Sequence, residues 1–198
     1  MPGAGAASSV TGSLGLGGVV LARHGETDDN VEPLRFQGFR DTPLNATGRA
    51  QAHALATRIA GEGTIRSIWA SDLSRARETA ETVGTAIGLP VRLDARLREG
   101  NRGRWEGRLF AEVAADEPEL YAAWRGPKSG FRFPDGESLA EQQARVMAAL
   151  REIHAQSARP ALAVCHGGSI RVMLCAADPD GLGAFHRFEI PNTAVVAL

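Results

Sequence analysis

Cysteine is scarce in this sequence, which contains only Cys165 and Cys175. The two form neither a metal-spaced cluster nor a disulfide framework. Cys165 lies in an apolar run and is expected to be a small buried hydrophobic residue. These observations predict a reducing, cytoplasmic compartment. Long apolar runs are also lacking, so the sequence predicts neither a membrane-spanning segment nor a membrane partner.

An excess of charge of either sign is likewise missing. Lys and Arg total 22 against 23 Asp and Glu, giving a formal net charge of -1. This balance provides no general attraction for nucleic acid or for a membrane surface. We therefore expect no nucleic-acid partner, and any attraction for an anionic substrate must be local.

The first 17 residues are rich in Gly, Ala and Ser and lack the basic start and apolar centre of a secretory signal. We expect residues 1–17 to be a flexible tail and residues 18–198 to form a single domain. A hydrophobic content of 43% and a charged content of 23% are ordinary for a globular protein of this length.

Strand-like and helix-like segments alternate along most of the chain, which predicts an α/β fold. The expected architecture is a three-layer sandwich with a mostly parallel central sheet and helices on both faces. Asn45 begins one predicted helix, and Ser71 or Asp72 is expected to cap the next. Strands are predicted at residues 17–22, 65–70, 91–93, 161–165, 186–190 and 193–198, and the main helices at 45–60, 72–87, 138–156 and 168–176.

Residues 97–137 form the least regular segment, with Gly, Pro and aromatic residues around short helices near 110–115 and 119–124. We expect this segment to form a small cap over the strand ends. The apolar last segment, residues 193–198, leaves two interpretations open: burial in the core, or an edge contact in a homodimer.

Polar side chains with useful chemistry follow the first predicted strand directly, in the order Arg23-His24-Gly25-Glu26. Ligands of open α/β sheets usually bind at the carboxyl ends of the strands. A histidine there can attack phosphorus while an arginine holds the phosphate oxygens. Alone, the tetrad is equally consistent with an ordinary solvated loop.

Three further segments supply matching groups after the other strands. Arg75 lies in the first turn of the helix after the second strand, Glu99 follows the third, and His166 follows the strand 161–165. If the strands are parallel neighbours, these side chains converge with Arg23 and His24 at one sheet edge. Positioning and charge stabilisation are what phosphoryl transfer requires.

The residues themselves also allow structural roles without catalysis. His24 and His166 are equally consistent with strand-end histidines that bond to the backbone. Arg75 could pair with Asp72 or Glu78 on a solvated helix face.

From Val19 to Leu198 the sequence resembles the histidine phosphatase superfamily, the phosphoglycerate mutase-like proteins. The resemblance rests on the segments around Arg23-His24, Arg75, Glu99 and His166 together with several shorter motifs in the family's order. Those motifs are Gln37-Gly38, Asp41-Thr42-Pro43-Leu44, Gly48-Arg49-Ala50-Gln51-Ala52, Thr79-Ala80, Pro134-Asp135-Gly136-Glu137-Ser138 and Asn192.

This resemblance implies a nucleophile at His24, which carries a transient phosphoryl group. Glu99 would be the proton donor to the leaving alkoxide, since an alkoxide leaves poorly without an acid. It implies no metal and no cofactor. The residues that the resemblance implies for binding the phosphate and the substrate are Arg23, Thr27, Asn30, Gln37, Gly38, Arg75, His166 and Gly167.

Two carboxyl groups compete for the role of the acid. Glu99 and Glu106 lie in the same irregular segment. The family resemblance places the acid at Glu99 and puts Glu106 in the turn Trp105-Glu106-Gly107.

The short acid-bearing segment is similar to that of the compact phosphatase branch of the family. It implies a metal-independent phosphomonoesterase acting on a small phosphorylated metabolite, of the histidine acid phosphatase type. Two alternatives remain open at this stage: a phosphoryl transferase of the phosphoglycerate mutase type, and a catalytically silent protein that binds phosphate or a phosphoprotein.

Asp29 departs from the family pattern, in which many members carry tryptophan before the asparagine matched by Asn30. This carboxylate either disfavours very anionic substrates at the mouth of the site or points to solvent.

The cap and the loop at residues 32–41 are rich in basic residues. We hypothesise that part of this set contacts a second anionic or polyhydroxyl group of the substrate, the alternative being solvated surface charges. The set comprises Arg35, Arg40, Arg102, Arg104, Arg125, Arg132 and Lys128.

Overall fold

A computed structural model describes residues 14–126 and 130–198 of the protein. Its centre is a five-stranded sheet in the order β3-β2-β4-β1-β5, in which β1 to β4 are parallel and β5 is antiparallel to β1. This confirms the predicted mostly parallel α/β sheet. The strands are β1 (Val19–Arg23), β2 (Ser67–Ala70), β3 (Val91–Leu93), β4 (Ala161–Cys165) and β5 (Val195–Ala197).

The described residues form six α-helices, four of which pack on the sheet while α3 and α4 belong to the cap segment. The Asn45 side chain caps α1 by accepting from Gly48 N at 2.8 Å. Ser138 and Glu141 form the capping box that the sequence predicted for α5. The helices are α1 (Ala46–Glu62), α2 (Ser74–Ile87), α3 (Phe110–Asp116), α4 (Pro118–Arg125), α5 (Leu139–Gln156) and α6 (Gly167–Cys175).

Both faces of the sheet are covered by helices, which confirms the three layers. Alternate residues of β4 point to opposite faces, and all five are buried, as expected for a central parallel strand. Ala163 lies in one core with Leu150 of α5 and Met173 of α6. Val164 lies in the core on the other face of the sheet, together with Leu55 of α1 and Val83 of α2.

A third cluster is aromatic and belongs to the cap. Trp105 is fully buried, with Phe36, Trp124 and Phe133 around it at ring-centroid distances of 5.1, 6.2 and 5.5 Å. The loop before Gln37 joins this cluster, because Phe36 N donates to Arg108 O at 3.1 Å. Residues 32–41 and the cap segment are therefore packed together.

The predicted strand at residues 186–190 is wrong. Residues Gly181–Arg187 form a 3-10 helix, and the chain to Ile190 runs as a loop. It does not pair with β1, because β4 and β5 already occupy both sides of that strand. Backbone carbonyls of the loop accept from arginines instead: Phe188 O from Arg171 and Ile190 O from Arg23.

The predicted cap of α2 is also wrong. Leu73 occupies the cap position and contributes no side-chain bond. Asp41, from a distant loop, accepts from Ser74 N at 2.7 Å, while Ser71 is buried against His166 and Asp72 pairs with Arg98. Tertiary partners have taken the groups that would otherwise cap the helix.

Among the described residues, no helix combines the length and the apolar character needed to cross a bilayer. Lys128 of the predicted basic set and residues 1–13 of the predicted tail lie outside the described residues.

Candidate active site

His24 is held at the carboxyl end of β1 by its backbone. Its N–H donates to Cys165 O of the neighbouring strand at 3.0 Å, and its C=O accepts from Asn192 Nδ2 at 3.1 Å. The ring Nδ1 lies 2.6 Å from Gly25 O. Because a carbonyl only accepts, Nδ1 carries the proton, and Nε2 presents a lone pair.

Gly25 is required by a close backbone approach. A Cβ at this position would lie 2.3 Å from Gly48 O at the start of α1. The Gly25 N–H donates to Thr79 Oγ1 of α2 at 3.1 Å. Because Gly25 has no side chain, its loop packs closely against α1 and bonds to α2, and these contacts fix the loop that orients the His24 ring.

His166 stands beside His24, with the two ring centroids 5.1 Å apart. Its Nε2 lies 2.9 Å from Ser71 Oγ, and its Nδ1 is buried with no partner among residues 14–126 and 130–198. Burial first, and then the positive charge of Arg75, lower the pKa of both histidines well below the usual range. Both rings are neutral at pH 7.

Arg23, which is partly buried, and Arg75 bring two guanidinium groups to the same cavity. Arg75, fully buried, donates to Gly38 O at 2.9 Å and to Arg40 O at 2.8 Å, and Arg23 donates to Ile190 O at 2.6 Å. Burial lowers the pKa of each to about 10, which leaves both charged at neutral pH.

Neither guanidinium forms an ion pair with a carboxylate of the described chain. The two partners that the sequence offered Arg75 are engaged elsewhere, since Asp72 pairs with Arg98 and Glu78 pairs with Arg49. Buried charges are normally paired, so two unpaired guanidinium groups side by side mark a place for an anion.

Asn30 and Gln37 line the site, and Thr27 lies behind them. Asn30 Oδ1 accepts from Thr27 N and Oγ1, each at 3.2 Å, which directs its amide N–H₂ elsewhere. Thr27 is fully buried and also accepts from Gln37 Nε2 at 2.5 Å. Thr27 therefore positions its neighbours.

Glu99 closes one side of the site. Its Oε1 accepts from Gln142 Nε2 at 2.9 Å, Gly100 N at 2.9 Å and Arg102 Nη2 at 3.2 Å, whereas Oε2 accepts only from Gly168 N at 2.8 Å. Burial opposes its ionisation, but Arg102 and these N–H donors outweigh burial and lower the pKa to about 2. Glu99 is ionised when the site is empty.

Glu106 has a different task. Its Oε1 accepts from Phe39 N at 2.8 Å and from Arg102 N at 3.0 Å, so that one carboxylate joins the loop before α1 to the cap. It does not appear in the wall of the cavity, whereas Glu99 does. The structure thus separates the two carboxyl groups that the sequence left in competition.

The predicted residues surround one cavity of about 290 Å³. Thr27 and His166 lie outside its wall, although His166 packs against His24. The predicted site residues in the wall are Arg23, His24, Asn30, Gln37, Gly38, Arg75, Glu99 and Gly167. The remaining wall residues are Asp29, Leu34, Arg35, Phe36, Arg102, Phe110, Trp124, Gly168, Arg171, Phe185 and Asn192.

Sequence reasoning missed several of these contacts. Arg171 lies one helical turn after Gly167 and shares its face, so the spacing of four residues carried a signal. Asn192 was noticed only as part of a motif. Gln142 and Ser71 are buried polar residues whose partners, Glu99 and His166, are distant in sequence, and no local pattern reveals them.

Asp29 does not point to solvent. It is 5% exposed, lies in the cavity wall, accepts from Thr42 Oγ1 and stands 3.7 Å from Arg40 Nε.

Within residues 14–126 and 130–198, no group of three or more His, Cys, Asp and Glu is arranged to hold a metal ion.

The neutral state of His24 and His166 makes stability depend on pH. Their pKa values lie below those of the unfolded chain, near 6.5, so the folded state binds fewer protons in acid. The free energy of unfolding is unaffected by the titration of these histidines above pH 6.5. On acidification below that pH it falls, by up to about 1.4 kcal/mol per pH unit for each histidine.

Urea unfolding between pH 7 and pH 5 measures this dependence. His166→Asn should reduce the slope, whereas His53→Ala, on the exposed face of α1, should leave it unchanged. A free energy of unfolding that stays constant over this range would contradict neutral burial of the two rings.

Comparisons with known proteins agree with the geometry. A glucosyl-3-phosphoglycerate phosphatase of Mycobacterium tuberculosis is 38% identical over 167 residues, which cover 80% of this chain and 74% of the relative. A probable phosphoglycerate mutase GpmB of Shigella boydii is 44% identical over 184 residues, covering 89% and 82%.

Among solved structures, a mycobacterial glucosyl-3-phosphoglycerate phosphatase in complex with VO3 superposes with a TM-score of 0.79 at 36% identity, covering 89% of this chain and 88% of that one. The sequence profile described as histidine phosphatase superfamily (branch 1) matches residues 19–198. This match makes the chain a member of the histidine phosphatase superfamily.

Proposed function

We propose that this protein is a metal-independent phosphomonoesterase that hydrolyses a small phosphate ester through a phosphohistidine on His24. The observation that carries the proposal is the pair of guanidinium groups of Arg23, partly buried, and Arg75, fully buried, which lack carboxylate partners in the described chain and flank two neutral imidazoles. The relatives named as phosphatases support a phosphatase of the histidine type.

The first chemical step forms a bond between His24 Nε2 and phosphorus. The bond from phosphorus to the ester oxygen breaks, and its electron pair stays on that oxygen. Arg23 and Arg75 neutralise charge on the phosphoryl oxygens, with the amide of Asn30 and the first N–H groups of α6 as further donors.

Glu99 supplies the proton that the leaving oxygen needs. Its Oε2 has a single N–H partner, so this oxygen has room to carry a proton. A bound phosphate places negative charge nearby, which disfavours the ionised carboxylate and raises its pKa. In the second step Glu99 takes a proton from water as the water attacks phosphorus and the bond to His24 breaks.

A phosphoryl transferase of the mutase type is the second candidate, favoured by the 44% identity to a probable phosphoglycerate mutase. The two functions differ in the acceptor, which is water in one case and a second hydroxyl group in the other. Incubation with 3-phosphoglycerate separates them, because hydrolysis releases inorganic phosphate and mutase activity forms 2-phosphoglycerate.

Hydrolysis of an aryl phosphate in the presence of EDTA tests the proposal directly. We expect steady turnover that the chelator does not change, since the charges that stabilise the transition state come from arginines. Loss of activity on chelation would contradict a metal-independent mechanism. No turnover of any phosphate ester would instead favour a silent phosphate- or phosphoprotein-binding protein.

A further inference from the structure

Arg102 is the basic residue of the cap that reaches deepest into the site. It is 8% exposed and lies in the cavity wall, with its guanidinium carbon 4.4 Å from the centre of the Phe133 ring. Its Nη2 contacts Glu99 Oε1 at 3.2 Å, and its Nη1 is buried without a partner in the described part of the chain. One of the two terminal nitrogens of the Arg102 guanidinium, Nη1, is therefore available to bind a ligand.

Two glycines leave the space that this ion pair occupies. A Cβ at Gly168 would lie 2.2 Å from Glu99 Oε1 and 2.6 Å from Arg102 Nη2. A Cβ at Gly100 would lie 2.9 Å from Arg102 Nη1. The position of Arg102 is thus built by the backbone on both sides and is unlike that of a solvated surface arginine.

The other cations near Glu99 are fixed by bonds of their own. Arg23 and Arg75 donate to backbone carbonyls, Arg171 donates to Phe188 O, and Arg145 pairs with Glu137 while donating to Glu99 O. Arg102 lacks such an anchor among the described residues. The charged and titratable groups that interact with the Glu99 carboxylate are Arg23, Arg75, Arg102, Cys165 and Arg171, and Arg145 donates to the Glu99 backbone carbonyl.

We propose that Arg102 binds a second anionic group of the substrate, a carboxylate beside the phosphate ester, and thereby controls the protonation of Glu99. The proposal rests on the phosphomonoesterase function inferred above. A carboxylate accepts from Nη1 and Nη2 together, and this bidentate pair replaces the long 3.2 Å contact with Glu99. A substrate without the carboxylate leaves Arg102 on Glu99.

The consequence is an acid that its own substrate activates. Once Arg102 has turned to the substrate, Glu99 loses its nearest cation and takes one proton from solvent on Oε2. That proton passes to the ester oxygen as its bond to phosphorus breaks and the bond between phosphorus and His24 Nε2 forms. When an alkyl ester without a carboxylate binds, Glu99 stays ionised, and the alcohol leaves slowly because no acid protonates it.

Two esters that differ in one group test this role: 3-phosphoglycerate and glycerol 3-phosphate. In Arg102→Ala, we expect kcat/KM for 3-phosphoglycerate to fall by about 100-fold, because a charged bidentate contact is lost. For glycerol 3-phosphate we expect a rise at pH 7 of about tenfold for each unit by which the pKa of Glu99 increases.

Arg132→Ala is the matched control, since Arg132 is an exposed arginine of the same cap, bonded to Gly136 O and Glu141. It should leave the preference between the two esters unchanged. Arg102→Gln, which keeps much of the side chain's length, provides a second variant if the alanine variant unfolds.

A merely structural role of Arg102 would not change kcat/KM in opposite directions for the two esters. An equal fall for both, or no preference for 3-phosphoglycerate in the unaltered protein, would overturn the proposal. Hydrolysis of an aryl phosphate separates this failure from the failure of the proposed function. Such a leaving group does not need Glu99, so a lack of aryl phosphate hydrolysis in the unaltered protein would refute the phosphatase itself.

Discussion

His24→Ala should lower kcat for an aryl phosphate by on the order of 10⁴-fold or more, because the only proposed nucleophile is removed. We do not expect the neighbouring His166 to replace it, since His166 lies outside the wall of the cavity that His24 lines. Initial rates at saturating substrate measure the effect, and thermal unfolding shows whether the variant is folded.

Trapping of the covalent intermediate gives a second readout for the same variant. An acid-labile phosphoryl label should appear on the unaltered protein after rapid mixing with substrate and should be absent from His24→Ala. His53→Ala removes an exposed histidine of α1 and should change neither rate nor label. A label that persists in His24→Ala would assign the nucleophile to another residue.

Glu99→Gln should distinguish substrates by their leaving groups. With 3-phosphoglycerate, an alkyl phosphate that carries a carboxylate, kcat should fall by about 10²- to 10⁴-fold, because no acid protonates the departing alkoxide. With an aryl phosphate, whose leaving group is stable as an anion, the fall should be much smaller. For a series of esters that differ in the pKa of the leaving alcohol, log kcat should depend more steeply on that pKa in Glu99→Gln than in the unaltered protein.

Glu106→Gln is the control for that experiment. Its carboxylate joins Phe39 N to Arg102 N, so the variant should weaken the loop and slow all esters alike. If the dependence on the leaving group appeared in Glu106→Gln and not in Glu99→Gln, the assignment of the acid would be reversed.

The convergence of the site residues was predictable from the sequence because it depends on topology. Arg23 ends β1 and His24 follows it, Arg75 comes after β2, and Gly167 comes after β4. Parallel strands place their carboxyl ends at one sheet edge. Knowing that the strands are parallel neighbours was therefore enough to bring these groups to one cavity.

Features that depend on competition between partners were not predictable. The segment at residues 186–190 has the composition of a strand, but both sides of β1 are already occupied by β4 and β5. The cap arginines look equivalent in sequence, and only their neighbours separate them. Arg104 pairs with Glu117, Arg132 pairs with Glu141, and Arg102 enters the cavity.

The strand order also has a consequence for the timing of synthesis. β1 pairs only with β4 and β5, and Arg23 donates to Ile190 O across 167 positions of sequence. At roughly 5–20 residues per second, a ribosome needs about ten seconds or more after making His24 before these partners exist. The strand that precedes the proposed nucleophile thus leaves the ribosome early and unpaired, and the last segments to be made complete the pocket around it.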